Sequence, residues 1–249
     1  MAVSQAVDSG ELSWETTLTV SEENRSLPSG ELQDEPDGTE VTVRDASTKM
    51  IAISDNTATD MLIQAVGRKS VEEAVRASGH HAPELMAPFP STREMFQIGW
   101  GKPEYLEAWT TGTEEEQRAL LESLERQPIG PHDVAVGGDP LWPHGVEWFA
   151  SAEDIARVHR ALQKHNDPVL RGILSGNPGV QQNSWDYVGF KGGSSPGVLT
   201  GSWFVEDAAG ESYIVVMQAA TEDAAGISSA ERSQFFRIAA SSLELAHSQ

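Results

Sequence analysis

An α+β fold follows from three features of the 249 residues. Helical periodicity dominates the first two thirds, three β-rich runs cluster between Asp186 and Ala219, and an amphipathic stretch closes the chain. The expected architecture is an antiparallel sheet flanked by a C-terminal helix, plus an all-helical subdomain. One domain is expected over 1–249, with a helical part over about 1–175 and a sheet with its closing helix over about 184–247.

Met1–Gly10 reads as the end of a helix, with Val3 and Val7 on one face and Gly10 as a stop. Eight or nine residues are too few for an independent helix, because nucleation is costly below about 12 residues. Leu12–Val43 is rich in Ser, Pro, Gly and acids, with extended pieces at Thr16–Val20 and Thr39–Val43. Helix resumes at Val43–Ile53, where Ala46, Met50 and Ile53 share a face, breaks at Ser54-Asp55-Asn56, and continues through Thr57–Val66. Ser70–Ser78 is helical, and a loop runs from Gly79 to Pro90. Ser91 and Glu94 have the spacing of a capping box, and Thr113 caps a helix to Glu125 whose Glu114, Glu115 and Glu116 sit near its positive end. That acidic run is a solvated helix start rather than a metal site. After a loop over Pro128–Trp148, Ser151–Lys164 is amphipathic, with Ile155, Val158 and Leu162 inward. Asp186–Lys191, Val198–Glu206 and Ser212–Ala219 are the strands, the last two joined by a turn over Asp207–Glu211. Ser229–Leu245 closes the chain, with Phe235, Phe236, Ile238 and Leu243 available to cover the sheet.

Composition narrows the function. With 17 Lys+Arg against 38 Asp+Glu, the net charge of −21 argues against nucleic acid and anionic lipid as partners, since both are gripped by clustered cations. The acidity suits a soluble or salt-adapted surface. No Cys is present, so thiolate nucleophiles and Cys-ligated metals are excluded. No apolar run approaches the roughly 20 residues that span a bilayer. No charged-then-apolar signal follows Met1, so the sequence as written reads as cytoplasmic.

Two segments carry the chemistry: Ser54-Asp55-Asn56 between two helices, and Lys191-Gly192-Gly193-Ser194 at the end of a strand. Their order and contexts resemble the SDN and KTG signatures of the serine β-lactamase and penicillin-binding-protein superfamily, in its class A-like branch. Gly10-Glu11-Leu12-Ser13-Trp14, Leu27-Pro28-Ser29-Gly30 and Lys49–Asp60 extend the resemblance, which reaches to the last helix. It implies a β-lactamase/transpeptidase-like fold and a serine hydrolase that forms an acyl-serine ester, with no metal and no organic cofactor. In such a site the Ser54 hydroxyl passes a proton to the leaving group, and the Asn56 amide holds the substrate carbonyl. Lys191 faces the substrate carboxylate and favours the ionised form of nearby hydroxyls. Gly192 and Gly193 permit close approach at the strand, and the backbone N–H near Ser194 supplies an oxyanion donor, with Ser195 in the same substrate-binding set. Asp55 is expected to accept local N–H groups rather than react. The implied partner is a small molecule: a β-lactam, an ester or a cell-wall peptide.

The family nucleophile belongs to a Ser-x-x-Lys, in which the amine takes the hydroxyl proton. No Lys here has Ser three residues before it. The resemblance places Met1–Asp8 on the second half of the nucleophile helix, and the expected Ser two turns, about 11 Å, upstream. The chain is therefore expected to be N-terminally incomplete, through a start assigned too far downstream in preference to a degenerate fragment, and an upstream segment can also carry an export signal. A sheet without its leading strands is expected to leave apolar surface exposed. Gly193-Ser194-Ser195-Pro196-Gly197 matches the GxSxG pattern, but Pro196 has no N–H for the oxyanion hole and strand residues follow. At the family's deacylating Glu and its companion Asn the resemblance puts Ala82 and Met86, with Glu84 the nearest carboxylate. This favours an esterase-like or slowly turning-over penicillin-binding activity, and the alternative is a catalytically inactive binding protein. Adjacent His80 and His81, and His132 with His144, give no convincing metal site. Trp142, Trp148, Trp185 and Trp203 read as core or pocket walls, the last two as candidates to border the cleft beside Lys191.

Overall fold

The computed structural model describes residues 1–130, 133, 134, 136–165, 167–181 and 185–247. These fall into two compact units, Met1–Gly137 with Leu141–Phe149, and Gly138–Pro140 with Ala150 onward.

The first unit is mostly helical: α1 (Ala2–Ser9), α2 (Val43–Ala52), α3 (Asn56–Val66), α4 (Arg68–Ala77), α5 (Thr92–Trp100), α6 (Pro103–Thr111) and α7 (Glu114–Glu125). Strands β1 (Thr17–Thr19) and β2 (Glu40–Thr42) form an antiparallel ribbon with Leu18 opposite Val41. Caps set the helix starts. Thr42 accepts from Asp45 N, while Ser91 and Thr113 each complete a capping box, with Glu94 and Glu116. Gly10 ends α1 in the left-handed conformation, donating to Val7 O. One core gathers Val20, Val43, Ala46, Ala58, Met61 and Leu62, and a second Ile98, Leu121, Leu124 and Val146.

Several inward faces differ from the periodicity. Ser4 and Ala6, not Val3 and Val7, are the buried residues of α1. Ile53 falls past the end of α2 and is exposed, because the chain turns there into the Ser54 bend. Helix α6 lies where the sequence predicts none, and its start has Pro103 and Glu104 in the first turn but no side-chain cap from Lys102.

The second unit contains α8 (Ala152–Gln163), α9 (Pro168–Leu174), the sheet β3 (Tyr187–Ser195), β4 (Val198–Glu206) and β5 (Ser212–Ala220), and α10 (Ser229–His247). The sheet is antiparallel in the order β3-β4-β5, with Lys191 opposite Ser202 and Ser202 opposite Val216. Side chains alternate between faces. Val188, Phe190, Leu199, Trp203 and Val205 form one core with Phe235, Ala239 and Leu243 of α10. Tyr187 and Phe204 lie on the other face, where Phe204 stacks on His159 of α8 and the Tyr187 hydroxyl bonds Arg171 O. The buried residues of α8 are Asp154 and His159, whereas Ile155, Val158 and Leu162 are half-buried. Ile238 of α10 is 47% exposed and is not part of this core. Strand β3 runs four residues further than expected, because Gly192–Ser195 pair in register with Val198–Gly201. Among the described residues no helix is long and apolar enough to cross a membrane.

Candidate active site

Ser54 and Asn56 belong to the first unit and Lys191–Ser195 to the second. The Ser54 bend starts where α2 runs out: Ile53 N and Asp55 N both donate to Lys49 O, at 3.1 and 3.2 Å. The chain can satisfy both only by turning sharply, and Ser54 takes φ +56°, the one non-glycine left-handed residue among those described. Such backbone is costly for a side chain with a Cβ and persists only where neighbours enforce it.

The enforcement comes from Asp55, which is fully buried. Its Oδ1 caps α3 by accepting from Ala58 N at 2.9 Å, and its Oδ2 accepts from Glu31 N at 2.7 Å and Leu32 N at 3.0 Å. The segment around Leu27–Leu32 is thereby fastened to the bend. Gly30, at φ +117°, lies so close that a Cβ there would meet Asp55 Cγ at 2.3 Å. Ser29 Oγ donates to Ser54 O at 2.6 Å and Asn56 N to Ser29 O at 3.0 Å. The Asn56 amide donates once, to Leu27 O at 3.0 Å, which fixes its plane. A third element joins through Thr92, the first residue of α5. Its hydroxyl reaches Asn56 O at 3.2 Å and Asp60 Oδ1 at 2.9 Å. Asp60 also accepts from Thr92 N and Arg93 N, and burial pushes its carboxyl up to about 7.

In the sequence Ser29, Gly30 and Asp60 stand out only through the family resemblance, and Thr92 carries no signal of this role. The separations of 25 to 36 residues explain this, since no local pattern encodes them.

In the second unit, Lys191 to Ser195 form the outer half of β3. Lys191 Nζ donates to Gly192 O at 2.5 Å, and Ser202 Oγ donates to Lys191 O at 3.3 Å. Burial lowers the ammonium's pKa from its ordinary value. Gly192 has a packing reason, for a Cβ there would meet the Phe190 ring at 2.9 Å, and one at Gly193 would meet Thr200 Oγ1 at 3.0 Å. After Ser195 the chain reverses through Pro196-Gly197, with Gly197 at φ +73°, directly into β4. The strand-to-helix turn that GxSxG needs is therefore not there. Trp203 points to the α10 face with Phe190, opposite to Lys191, and Trp185 joins the same core. Neither borders Lys191, a correction to the sequence reading that follows from strand alternation.

Ala82 precedes a short 3₁₀ turn, Pro83–Met86, in which Glu84 is exposed. Met86 Sδ accepts from Phe149 N at 3.0 Å. His80 and His81 stack with ring centroids 5.3 Å apart. His80 Nδ1 accepts from Ala82 N, so its proton is on Nε2, which donates to Phe149 O at 2.8 Å. Both ring nitrogens are thus engaged within the protein. His144 is exposed at the end of a 3₁₀ turn, and His132 lies outside the described residues.

The model of the Beta-lactamase enzyme family matches residues 1–166, two thirds of the sequence. The chain belongs to this family. Among solved structures, a β-lactamase from Sphaerobacter thermophilus is 22% identical, with 89% of this chain and 71% of that one covered at a TM-score of 0.57. PBP-A is 17% identical over 98% and 77%, at 0.59. A variant of the reconstructed last common ancestor of Gram-negative class A β-lactamases is 16% identical over 99% and 80%, also at 0.59. At these identities the likeness is one of fold. No curated protein sequence matches the chain. Family and fold together support a β-lactamase-like hydrolase.

Proposed function

We propose that this β-lactamase-family protein works by acyl transfer through a serine ester, on β-lactam, peptide or ester carbonyls, with Ser54, Asn56 and Lys191–Ser195 as its working residues. The observation that carries the reading is the Ser54 bend: a strained hydroxyl-bearing residue, held by a buried Asp55 that does no chemistry itself, inside the segment the family model matches. Ser54 relays a proton to the leaving group, and Asn56 gives its second amide N–H to the substrate carbonyl. Lys191, partly stripped of water, offers a substrate carboxylate a stronger attraction than a hydrated ammonium would, and exchanges protons more readily. Gly193, Ser194 and Ser195 supply the strand side of the substrate site, including an oxyanion donor.

The acyl-accepting serine is not assigned within these 249 residues, since none of their lysines completes a Ser-x-x-Lys. Intact-protein mass spectrometry with penicillin G decides the matter, run on this chain and on one extended upstream in its reading frame. The expected result is an adduct on the extended form only. In that form Ser54→Ala and Lys191→Ala are each expected to slow acylation on the order of 10²-fold or more. An adduct on the 249-residue form would overturn the assignment of the nucleophile. The missing Ser-x-x-Lys also favours a second reading, a catalytically inactive binding protein of the same fold. Two folded forms that stay unmodified by penicillin G and by activated esters would establish it.

A further inference from the structure

Ser29 touches both of the peptide planes that flank Asp55. The plane between Ser54 and Asp55 is held at its N–H end by the bond from Asp55 N to Lys49 O, at 3.2 Å, and at its carbonyl end by the Ser29 hydroxyl, which donates to Ser54 O at 2.6 Å. The plane between Asp55 and Asn56 is held at its N–H end by Ser29 O, at 3.0 Å. At its carbonyl end Thr59 N and Thr59 Oγ1 donate to Asp55 O, at 3.0 and 2.8 Å. A peptide unit is rigid, so a bond at each end fixes its tilt, and with it the direction in which the joined residues carry their side chains.

The two planes differ in what residue 29 gives them. The second uses its backbone carbonyl, which any residue there would supply. The first uses its side chain, and without that hydroxyl the plane loses the shorter of these two anchors. This happens at Ser54, whose φ of +56° is one that L side chains rarely adopt, so the backbone has a reason to move once it is released.

The loss belongs to geometry more than to stability. Ser29 is exposed and so is its bond to Ser54 O, whereas two of the three bonds of Asp55 are buried and the third is partly buried. Water can replace the Ser29 hydroxyl at little net cost, but a water molecule satisfies the carbonyl without fixing its direction. A reacting group needs that direction, since a misplacement of about 1 Å can cost on the order of 10²-fold in rate.

On the acyl-transfer reading above, we propose that Ser29 is a positioning residue of the hydrolytic site: its hydroxyl aligns the Ser54 carbonyl and so aims the Ser54 side chain at the leaving group. Acylation of the upstream-extended form by penicillin G tests it, followed by timed mass spectrometry over a range of concentrations, which separates the limiting rate from the half-saturating concentration. Ser29→Ala is expected to lower the limiting rate on the order of tenfold or more and to change the half-saturating concentration less than about twofold. The urea midpoint of the 249-residue chain is expected to stay close to the parent's. Ser29→Thr keeps the hydroxyl and puts its methyl at an exposed position, and it should hold the rate within about threefold of the parent. Gln33→Ala removes a different bond of the same segment, Nε2 to Gly30 O at 2.8 Å, and should leave the rate within about twofold. Because Ser29 acts through Ser54, adding Ser29→Ala to Ser54→Ala is expected to slow acylation no further. An undiminished rate for Ser29→Ala, or a loss that adds in full to that of Ser54→Ala, would overturn the proposal and leave acyl transfer standing. An extended parent that takes up neither penicillin G nor an activated ester would overturn acyl transfer, and the proposal with it.

Discussion

Asp55 holds three backbone N–H groups, those of Leu32 and Ala58 in buried bonds and that of Glu31 in a partly buried one, and this makes it the most sensitive residue of the Ser54 bend. Each buried donor left without an acceptor costs about 1–3 kcal/mol, so Asp55→Ala is expected to lower the unfolding free energy by about 3–6 kcal/mol in urea titration. Asp55→Asn keeps one oxygen for Ala58 and sets an NH₂ against the other two donors, and it should lose about half as much. Gly30→Ala meets Asp55 from the other side, in a conformation that L side chains rarely adopt, and more than about 2 kcal/mol of loss is expected there. A loss below about 1 kcal/mol for both Asp55→Ala and Gly30→Ala would show that the bend does not rest on this contact. Sequence alone identified Asp55 as an acceptor of local N–H groups, because a carboxylate before a helix start has a physical reason to be there. It did not show that Glu31 and Leu32 are among the donors. Their approach depends on a loop closing over more than twenty residues, which no periodicity records.

Helix starts were legible in the sequence where they carry a cap. Ser91 with Glu94 and Thr113 with Glu116 form the capping boxes their spacing implies, and Ser151 with Asp154 forms a third. Helix α9 escaped notice although Asp167 and Pro168 mark its start, since seven residues give too short a pattern to register. The inward faces were read less well, because the buried positions of α8 are an acid and a histidine, which a hydrophobic pattern cannot flag. Capping and burial also separate in energy. Thr113→Ala at an exposed helix start is expected to cost about 1 kcal/mol. Glu94 is 1% exposed, takes two bonds from Arg68 at 2.9 and 2.7 Å, and accepts from Ser91 N. Glu94→Ala leaves that guanidinium half-buried without its main partner, and about 3–5 kcal/mol of loss is expected. Arg68 also pairs with Glu125, but that carboxylate is 59% exposed, and Glu125→Ala should cost less than about 1 kcal/mol. Equal losses for Glu94→Ala and Glu125→Ala in parallel urea titrations would contradict the assignment of Arg68 to the buried partner.

For the molecule as a whole, two buried titratable groups set opposing pH dependences. Burial raises Asp60 from 3.8 to about 7, with Glu94 nearby adding to the rise, so between those values the folded state holds a proton that the unfolded state has released. Asp60 therefore contributes stability that is full below about 4 and lost as the pH rises through 7. Burial lowers His159 from 6.5 to about 4, and here the unfolded state binds the extra proton. Its contribution is full above 6.5 and lost as the pH falls through 4. Over pH 4–6.5 the two slopes oppose each other. The parent protein should change little in this window through these groups, Asp60→Asn should become more stable as the pH rises, and His159→Gln should become less stable. Urea titrations at pH 4.5, 5.5 and 6.5 check the signs, and the same slope for both variants would refute the assignment. Added salt acts on the surface instead. The excess of 21 negative charges repels itself across the whole molecule, whereas the screened surface ion pairs are each worth about 1 kcal/mol at most. Screening should relieve more than it removes, so the melting temperature at pH 7 is expected to climb as sodium chloride is raised from low concentration to about 1 M, where the Debye length is about 3 Å. A melting temperature that falls over this range would mean that the exposed paired charges, such as Arg44–Glu15 and Arg157–Glu153, outweigh the repulsion.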